Sequence, residues 1–559
     1  MRRLRGYVVG GMCVGVVLLG VAYFYENRTT FPQYHLLKVK LMGDVASSQI
    51  LATYGAQFVP EQHVLFTEEH DGELRPRWAF RPSHAVPTYP VPVVDDTNGD
   101  GVAEVYVGSY TRKLSVLDGR DGTRLWDWEL PFGVVGGIAV GVTDLDNDGE
   151  KEVVFGSNWT LPIRVYALRT DPELEDGERL KWVRNVSGDF IEAGFSIVEG
   201  AETFVLAATR DAPYSRASLN VIGESGNFHY APITGIDVCL NRIAVGAMRP
   251  GGDPIIVHGS HAFYGAKYGH RLTAWELNTG QALWSTELPG DTGYQNHQVV
   301  DVDFDGRQEI VAFVRPSHLL GNGSDNPRWR PPAMGGEGPD SVFILNGETG
   351  EIIGTLDGGI FGSLPDEKIL LVSDNGYPYE FPTSPTGLKA VDVEGHVLYR
   401  LPEVSFGVRF AGDGRYRLVN LAYVPSVDEL EDRTRKIKGR DLTSEELASS
   451  ECDISGACFS RLVFDVYDAR TGAREQHLVA PLSLPEYENP SDYGVFGLPA
   501  DELLFTTLAD TDGDGNWNAL IQIRDFIVDV HLPIRVHQSY DQYAPIAYRN
   551  VSNAGRMYD

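Results

Sequence analysis

The sequence is poor in cysteine: four in 559 residues. Disulfides therefore cannot frame a chain of this length. It is also poor in basic residues. Lys and Arg total 47 against 78 Asp and Glu, a formal net charge of −31. Nucleic acid is thereby excluded as a partner, because phosphate binding needs a basic surface. No G-x-S-x-G elbow, no H-E-x-x-H and no Gly-rich phosphate loop occurs, so the common hydrolase, zincin and nucleotide signatures are missing. Disorder is excluded over most of the length by 42% hydrophobic and 11% aromatic residues, the latter favouring strands and a large core. The acidic balance has two readings, a solubilising surface or carboxylates that face bound cations.

Long apolar runs are absent but for one. Arg2, Arg3 and Arg5 precede the uncharged stretch Tyr7 to Tyr25, 19 residues, and Glu26 follows it. Roughly 20 residues span a bilayer, and the positive-inside rule leaves residues 1–6 in the cytoplasm and the rest outside. Tyr23, Phe24 and Tyr25 suit the interfacial aromatic belt. The expectation is a single-pass signal anchor over 7–25, a linker over 26–60, and an extracytoplasmic (periplasmic or extracellular) body. The rival is a cleavable signal peptide, for which the aromatic end supplies no small-x-small site. Cys13 has no lipobox before it. Cys452 and Cys458 enclose only five residues and read as a small disulfide loop in an oxidising compartment, leaving Cys239 as a core thiol.

What the sequence does contain is a repeat. Asp96-Thr-Asn98-Gly-Asp100-Gly101-Val-Ala-Glu104 leads into Val-Tyr-Val-Gly. Asp144-Leu-Asp146-Asn-Asp148-Gly149-Glu-Lys-Glu152, Asp301-Val-Asp303-Phe-Asp305-Gly306-Arg-Gln-Glu309 and Asp510-Thr-Asp512-Gly-Asp514-Gly515-Asn-Trp-Asn518 follow the same plan. Oxygens at positions 1, 3 and 5 converge on one hard cation, and Gly at position 6 permits the sharp turn. Calcium suits this, taking six to eight oxygens in flexible geometry. An EF-hand does not fit: position 12 is Val107, Phe155, Ala312 or Ile521, never Glu, and β-branched strands flank the loops. Asp/Asn/Gly loops also turn without metal, but the common spacing of all four argues for a cation. Asn518 in place of an acid makes the last loop the weakest.

A second unit is a hairpin with a glycine in its turn, often closed by tryptophan. Leu114 to Trp126, Leu272 to Trp284, Val342 to Gly350 and Val463 to Gly472 are clear copies; Leu219 to Phe228, Val391 to Leu398 and Val165 to Trp182 are weaker. A metal loop between two strands precedes a hairpin in each well-formed copy. Four antiparallel strands per unit make a propeller blade. Hairpins near Asp71-Gly72, Gly122, Asp176-Gly177, Gly226, Gly280, Gly350, Gly395 and Gly472 predict an all-β propeller of eight blades over 61–533, with seven as the alternative and 534–559 as an extension. The Asp510 loop lacks a downstream hairpin, and the orphan hairpin His63 to Phe80 is expected to complete its blade.

These loops resemble the FG-GAP/VCBS repeats found in integrin α-chain propellers and many secreted proteins. The Gly-x-x-Leu-Trp hairpins resemble the blades of quinoprotein-like propellers. The likeness runs from Val91 to Ile523. It implies calcium ligands at Asp96, Asn98, Asp100 and Glu104; Asp144, Asp146, Asp148 and Glu152; Asp301, Asp303, Asp305 and Glu309; and Asp510, Asp512 and Asp514. The adjacent cysteine pair that quinoprotein alcohol dehydrogenases use is missing, which argues against a quinone cofactor.

Two irregular segments interrupt the repeats. Arg315 to Ser341 carries Trp329 between Arg328 and Arg330 in a Pro- and Gly-rich stretch, and Val424 to Phe459 carries the cysteine pair. Long loops on a rigid scaffold are where binding usually sits; the alternative is a cover over the propeller channel. Trp329, Arg328 and Arg330 have the make-up of an interface anchor. His258, His261, His270 and His297 crowd one blade and offer a metal or acid/base site, or structural hydrogen bonds. The function expected is non-catalytic: protein or glycan binding, adhesion, or an accessory or scaffold subunit of a membrane complex. The alternative is a calcium-dependent enzyme acting on polysaccharide, of the rhamnogalacturonan-lyase type.

Overall fold

The computed structural model of the chain describes residues 61–66, 74–82, 92–108, 113–130, 134–158, 163–186, 195–200, 202–211, 216–236, 243–249, 252–259, 271–288, 292, 297–314, 341–356, 360–373, 386–404, 406–409, 415–424, 460–484, 506–523 and 526–535. These form eight antiparallel sheets. Blade 1 takes its four strands from Val93–Asp95, Glu104–Gly108, Lys113–Asp118 and Arg124–Glu129. Blade 2 takes them from Val134–Thr143, Glu152–Asn158, Ile163–Arg169 and Leu180–Val186. Blades 3 to 7 start at Phe195, Ala244, Gln298, Ile360 and Phe406 and repeat the simple meander. The first strands of neighbouring blades touch, as between Val93–Asp95 and Val134–Thr143, which sets them innermost.

Blade 8 is built from both ends of the described chain. Thr506–Ala509, Asn516–Ile523 and Phe526–Arg535 supply three strands, Arg75–Arg81 the fourth and Gln62–Leu65 a fifth. Ala79 pairs with Val528 and His63 with Phe80. The orphan hairpin thus completes the last blade as expected, settling the count at eight, and adds an outermost strand. The third strand runs to Arg535, two residues past the expected boundary at 533.

Burial falls from the centre outward. Every residue of the second strands Glu104–Gly108 and Ile369–Ser373 is buried, whereas the outer strand Arg124–Glu129 is half exposed. Apolar side chains interleave between blades: Tyr106, Leu114 and Val116 of blade 1 pack in one cluster with Val153, Phe155 and Tyr166 of blade 2. Each fully buried large side chain contributes roughly 1.5–3 kcal/mol, so the seams hold the blades together.

The tryptophan hairpins explain how the seams are pinned. Gly122, Gly226, Gly280, Gly350, Gly395 and Gly472 all turn with positive φ, the left-handed region that favours glycine. At five of them an added Cβ would strike a ring of the preceding blade: Trp78, Trp182, Tyr230, Trp284 and Tyr399 respectively at Gly122, Gly226, Gly280, Gly350 and Gly472. Trp78, Trp182 and Trp284 also donate Nε1–H to backbone carbonyls of Gly119, Glu224 and Gly347 at 3.0, 2.9 and 2.8 Å. Blade 2 has a longer turn with one helical stretch, Asp176–Arg179, and no glycine lock. There the buried Arg179 guanidinium lies 4.0 Å above the Trp126 ring and donates to the Asp171 and Leu174 carbonyls. A cation over an aromatic face replaces the glycine.

No helix among the described residues is long and apolar enough to cross a membrane. Tyr7 to Tyr25, the linker 26–60, Cys239, Cys452, Cys458, Trp329, Arg328, Arg330, His261 and His270 lie outside the described residues.

Candidate metal centres

All four acidic loops join the first and second strands of their blades: blades 1, 2, 5 and 8. Their backbones share one pattern of turns and hydrogen bonds. Positions 4 and 6 are left-handed throughout: Gly99 and Gly101, Asn147 and Gly149, Phe304 and Gly306, Gly513 and Gly515. In each loop the first Asp accepts from the position-6 N–H at 2.9–3.0 Å, as Asp301 does from Gly306. In each the position-5 Asp accepts from the N–H two residues on at 2.8 Å. In the first three, the position-9 Glu on the second strand accepts from the position-2 N–H: Thr97 to Glu104 at 2.9 Å, Leu145 to Glu152 at 3.1 Å, Val302 to Glu309 at 3.0 Å. These bonds consume some of the carboxylate lone pairs. Side-chain oxygens of Asp144, Asp146 and Glu152 lie within 4.8 Å of one another, as do those of Asp301, Asp303 and Glu309. An all-oxygen, carboxylate-rich set of this kind fits calcium.

The charge balance differs between the loops. At the Asp301 loop, among the described residues, no Lys, Arg or His pairs with Asp301, Asp303, Asp305 or Glu309. Glu309 is buried, and burial together with the three aspartates pushes its carboxyl up to about 7. At the Asp96 loop, Glu104 is quieted by neutral donors, Thr97 Oγ1 at 2.7 Å and Asn98 Nδ2 at 2.7 Å. Arg120 meets Asp100 at the exposed edge, 3.0 Å away. At the Asp144 loop, the Lys181 ammonium sits 2.6 Å from Glu152 Oε1 and 2.7 Å from Asp146 Oδ2. Burial works against that charge, but Asp146 and Glu152 outweigh it and hold the ammonium above the usual lysine range.

The Asp510 loop departs furthest. Asn518, in the acid's position, is buried and donates to Asp529 at 3.3 Å. Asp529 is itself wholly buried, and burial lifts its carboxyl to about 7 although Arg77 pulls the other way. Arg77 Nη1 reaches Asp512 at 3.0 Å and Asp529 at 3.2 Å. His531 joins Asp512 and Asp514 in one compact cluster. Asp529, His531, Arg77 and Lys181 were not among the residues expected at these loops. Their signal was faint: Asp529 and His531 alternate within the apolar run Phe526-Ile-Val-Asp-Val-His, marking one polar face of a buried strand.

Three of the loops are neighbours. Ala103 N–H donates to the Thr511 carbonyl at 3.3 Å, joining the Asp96 and Asp510 loops. Lys151 of the Asp144 loop meets Asp95 at 2.5 Å. The Asp301 loop stands apart in blade 5, across the blade order from blade 1. A further turn, Asp392, Glu394 and His396 in blade 6, gathers ligand atoms but is largely exposed.

The histidine cluster is brought together only in part. His258 and His297 are both buried and close enough for His297 to repel charge on His258. Burial, aided by His297, lowers His258 to about 4, so it is neutral at pH 7. His297 donates Nε2–H to the Thr292 carbonyl at 2.9 Å. His258 is buried on the second strand of blade 4, Pro254–Gly259, and His297 directly precedes the first strand of blade 5, Gln298–Val300.

No protein-family description matches the sequence, and no curated protein matches it. Solved structures do. The quinohemoprotein alcohol dehydrogenase ADHIIG of Pseudomonas putida HK5 is 12% identical with a TM-score of 0.47, covering 83% of this chain and 77% of its own. Saccharomyces cerevisiae Sqt1 is 10% identical with a TM-score of 0.44, covering 81% and 96%. BamB of Moraxella catarrhalis is 11% identical with a TM-score of 0.36, covering 65% and 96%. At such scores these likenesses carry no functional argument. The class defined by the sheets themselves is an eight-bladed β-propeller.

Proposed function

We propose that this chain is a non-catalytic binding propeller, held to a membrane by Tyr7 to Tyr25 with its blades outside the cytoplasm. Calcium in the first-to-second-strand loops stiffens one end, and a protein partner binds at the other. The single observation that carries the reading is a division of labour between the two ends. The acidic loops join first to second strands, whereas segments 315–340 and 425–460 leave from second strands ending at Val314 and Val424 and return to third strands at Ser341 and Arg461. Consecutive antiparallel strands reverse direction, so the two kinds of connection emerge at opposite ends. Trp329, flanked by Arg328 and Arg330, would anchor the partner, and Cys452–Cys458 would close the second loop.

The rigid scaffold supports this reading, since binding is usually grafted onto long loops held by stiff blades. The test uses full-length protein purified from native membranes with cross-linked partners. Trp329→Ala should release the partner, costing about 2 kcal/mol or more at a hot spot, while the thermal melt stays calcium-dependent. Retention of every partner after Trp329→Ala and after deletion of both segments would sink the reading. A calcium-insensitive melt with no metal in elemental analysis would sink its metal half.

A further inference from the structure

The four acidic loops share a backbone but not a cation balance, and one strand position accounts for the difference at the Asp144 loop. In blade after blade the outer strand opens with a bulge, one residue before the position that carries the clasp aromatic. The extra residue is Leu125 in blade 1, Leu283 in blade 4, Ile353 in blade 5 and Leu398 in blade 6, all exposed. In blade 2 it is Lys181. Its ammonium reaches past the third strand to Glu152 and Asp146, with 14% of the side chain exposed.

Blade 7 shows the same device with its charges exchanged. Glu104, Glu152, Glu309 and Arg417 hold one register position, each opposite the residue that ends the third strand: Asp118, Arg169, Asn346 and Asp468. The bulge residue of blade 7 is Glu475, and Arg417 Nε lies 2.6 Å from its carboxylate. Blade 7 carries no Asp-x-Asp-x-Asp-Gly loop. It ties its second strand to its outer strand by a side-chain ion pair at the same place where blade 2 sets Glu152 against Lys181, also at 2.6 Å. The pair is therefore a recurring way to neutralise this position without an ion from solution.

We propose that Lys181 is the resident cation of the Asp144 loop, so that this loop takes up no calcium while the Asp301 loop does. The inference rests on the calcium reading given above. A tethered ammonium donates up to three hydrogen bonds to carboxylates. It need not be drawn from solution, and calcium could enter only by expelling it. The Asp301 loop has Ile353 at the corresponding position and, among the described residues, no cation to expel.

The experiment counts calcium bound to the full-length protein after equilibrium dialysis. Lys181→Met should bind one ion more than the wild type, and adding Asp146→Asn should remove that ion. Lys181→Arg, which keeps the charge, should match the wild type. An unchanged count in Lys181→Met would overturn the proposal. Asp303→Asn in the wild-type background tests the underlying calcium reading separately: loss of one ion supports it. If the wild type binds none, that reading fails, and the count in Lys181→Met still decides the role of Lys181. Should Lys181→Met not fold, the unaltered protein decides. Lys181 should resist an amine-acylating reagent better than Lys151 does, equally with and without excess calcium. Acylation of Lys181 that rises with calcium would show the ammonium displaced and the proposal wrong.

Discussion

The rim formed by blades 8, 1 and 2 and the lone loop of blade 5 use the same turn to different ends. Along the rim, acids meet cations supplied by the chain: Arg77 at Asp512, Arg120 at Asp100, Lys181 at Asp146. In blade 5 the Asp301 loop meets none among the described residues, and Glu309 is driven up to about 7. The turn is therefore a geometry, made by left-handed positions and carboxylate-to-N–H bonds. Whether it needs an ion depends on what the neighbouring strands bring. Burying a carboxylate without a countercharge is costly, so the blade 5 loop is where a bound cation would contribute most.

The sharpest way to break the comparison is to remove a built-in cation. Arg77→Met leaves Asp529 and Asp512 facing each other in the blade that closes the ring. Stability by denaturant titration should fall by about 3–5 kcal/mol, the range for stranding a buried charge. A loss below 1 kcal/mol would mean that the rim does not depend on its own cations.

The next effect sits at His258, buried on the second strand of blade 4. His258 titrates near 4 when folded, below its unfolded value of 6.5. The folded state thus binds fewer protons in that window, and stability present above pH 6.5 is lost as pH falls toward 4. The total is on the order of 3 kcal/mol. His258→Phe should flatten that part of the stability profile measured by urea titration. A profile identical to wild type would place the acid sensitivity elsewhere.

Removing calcium should act on blade 5 more than on the rim. If the Asp301 loop is filled at a hundredfold excess over Kd, chelation should cost about 2.7 kcal/mol. Asp303→Asn should abolish most of the chelator-induced drop in Tm. A drop unchanged in that variant would move the calcium dependence away from blade 5.

The smallest effect concerns how blade 5 is held. Trp284 donates to the Gly347 carbonyl at 2.8 Å and lies against Gly350. Trp284→Phe keeps a ring there but loses the donor, and should cost about 1 kcal/mol by thermal denaturation. Trp78→Phe, at the corresponding bond to Gly119, should behave alike; a much larger loss there would show that ring closure makes its clasp more critical.

Much of this architecture could be read from local chemistry. The turn glycines at Gly122, Gly280, Gly350 and Gly472 mark hairpins because a positive φ is a property of single residues. The four acidic loops were visible because their hydrogen bonds span at most seven residues, as between Thr97 and Glu104. The blade count also followed, down to the His63 to Phe80 hairpin filling the last blade. The aromatic ends of hairpins were seen, but not their purpose, since each ring packs on a different blade.

By itself, then, the sequence determined the strands, the turns and the positions of the carboxylates, all set by interactions between near neighbours. Only the tertiary structure decided which of those carboxylates have a cation. Lys181 comes to Glu152 from 29 residues away, and Arg77 comes to the Asp510 loop across 434. Charge compensation acts through space, and no local spacing records which distant strand will lie alongside.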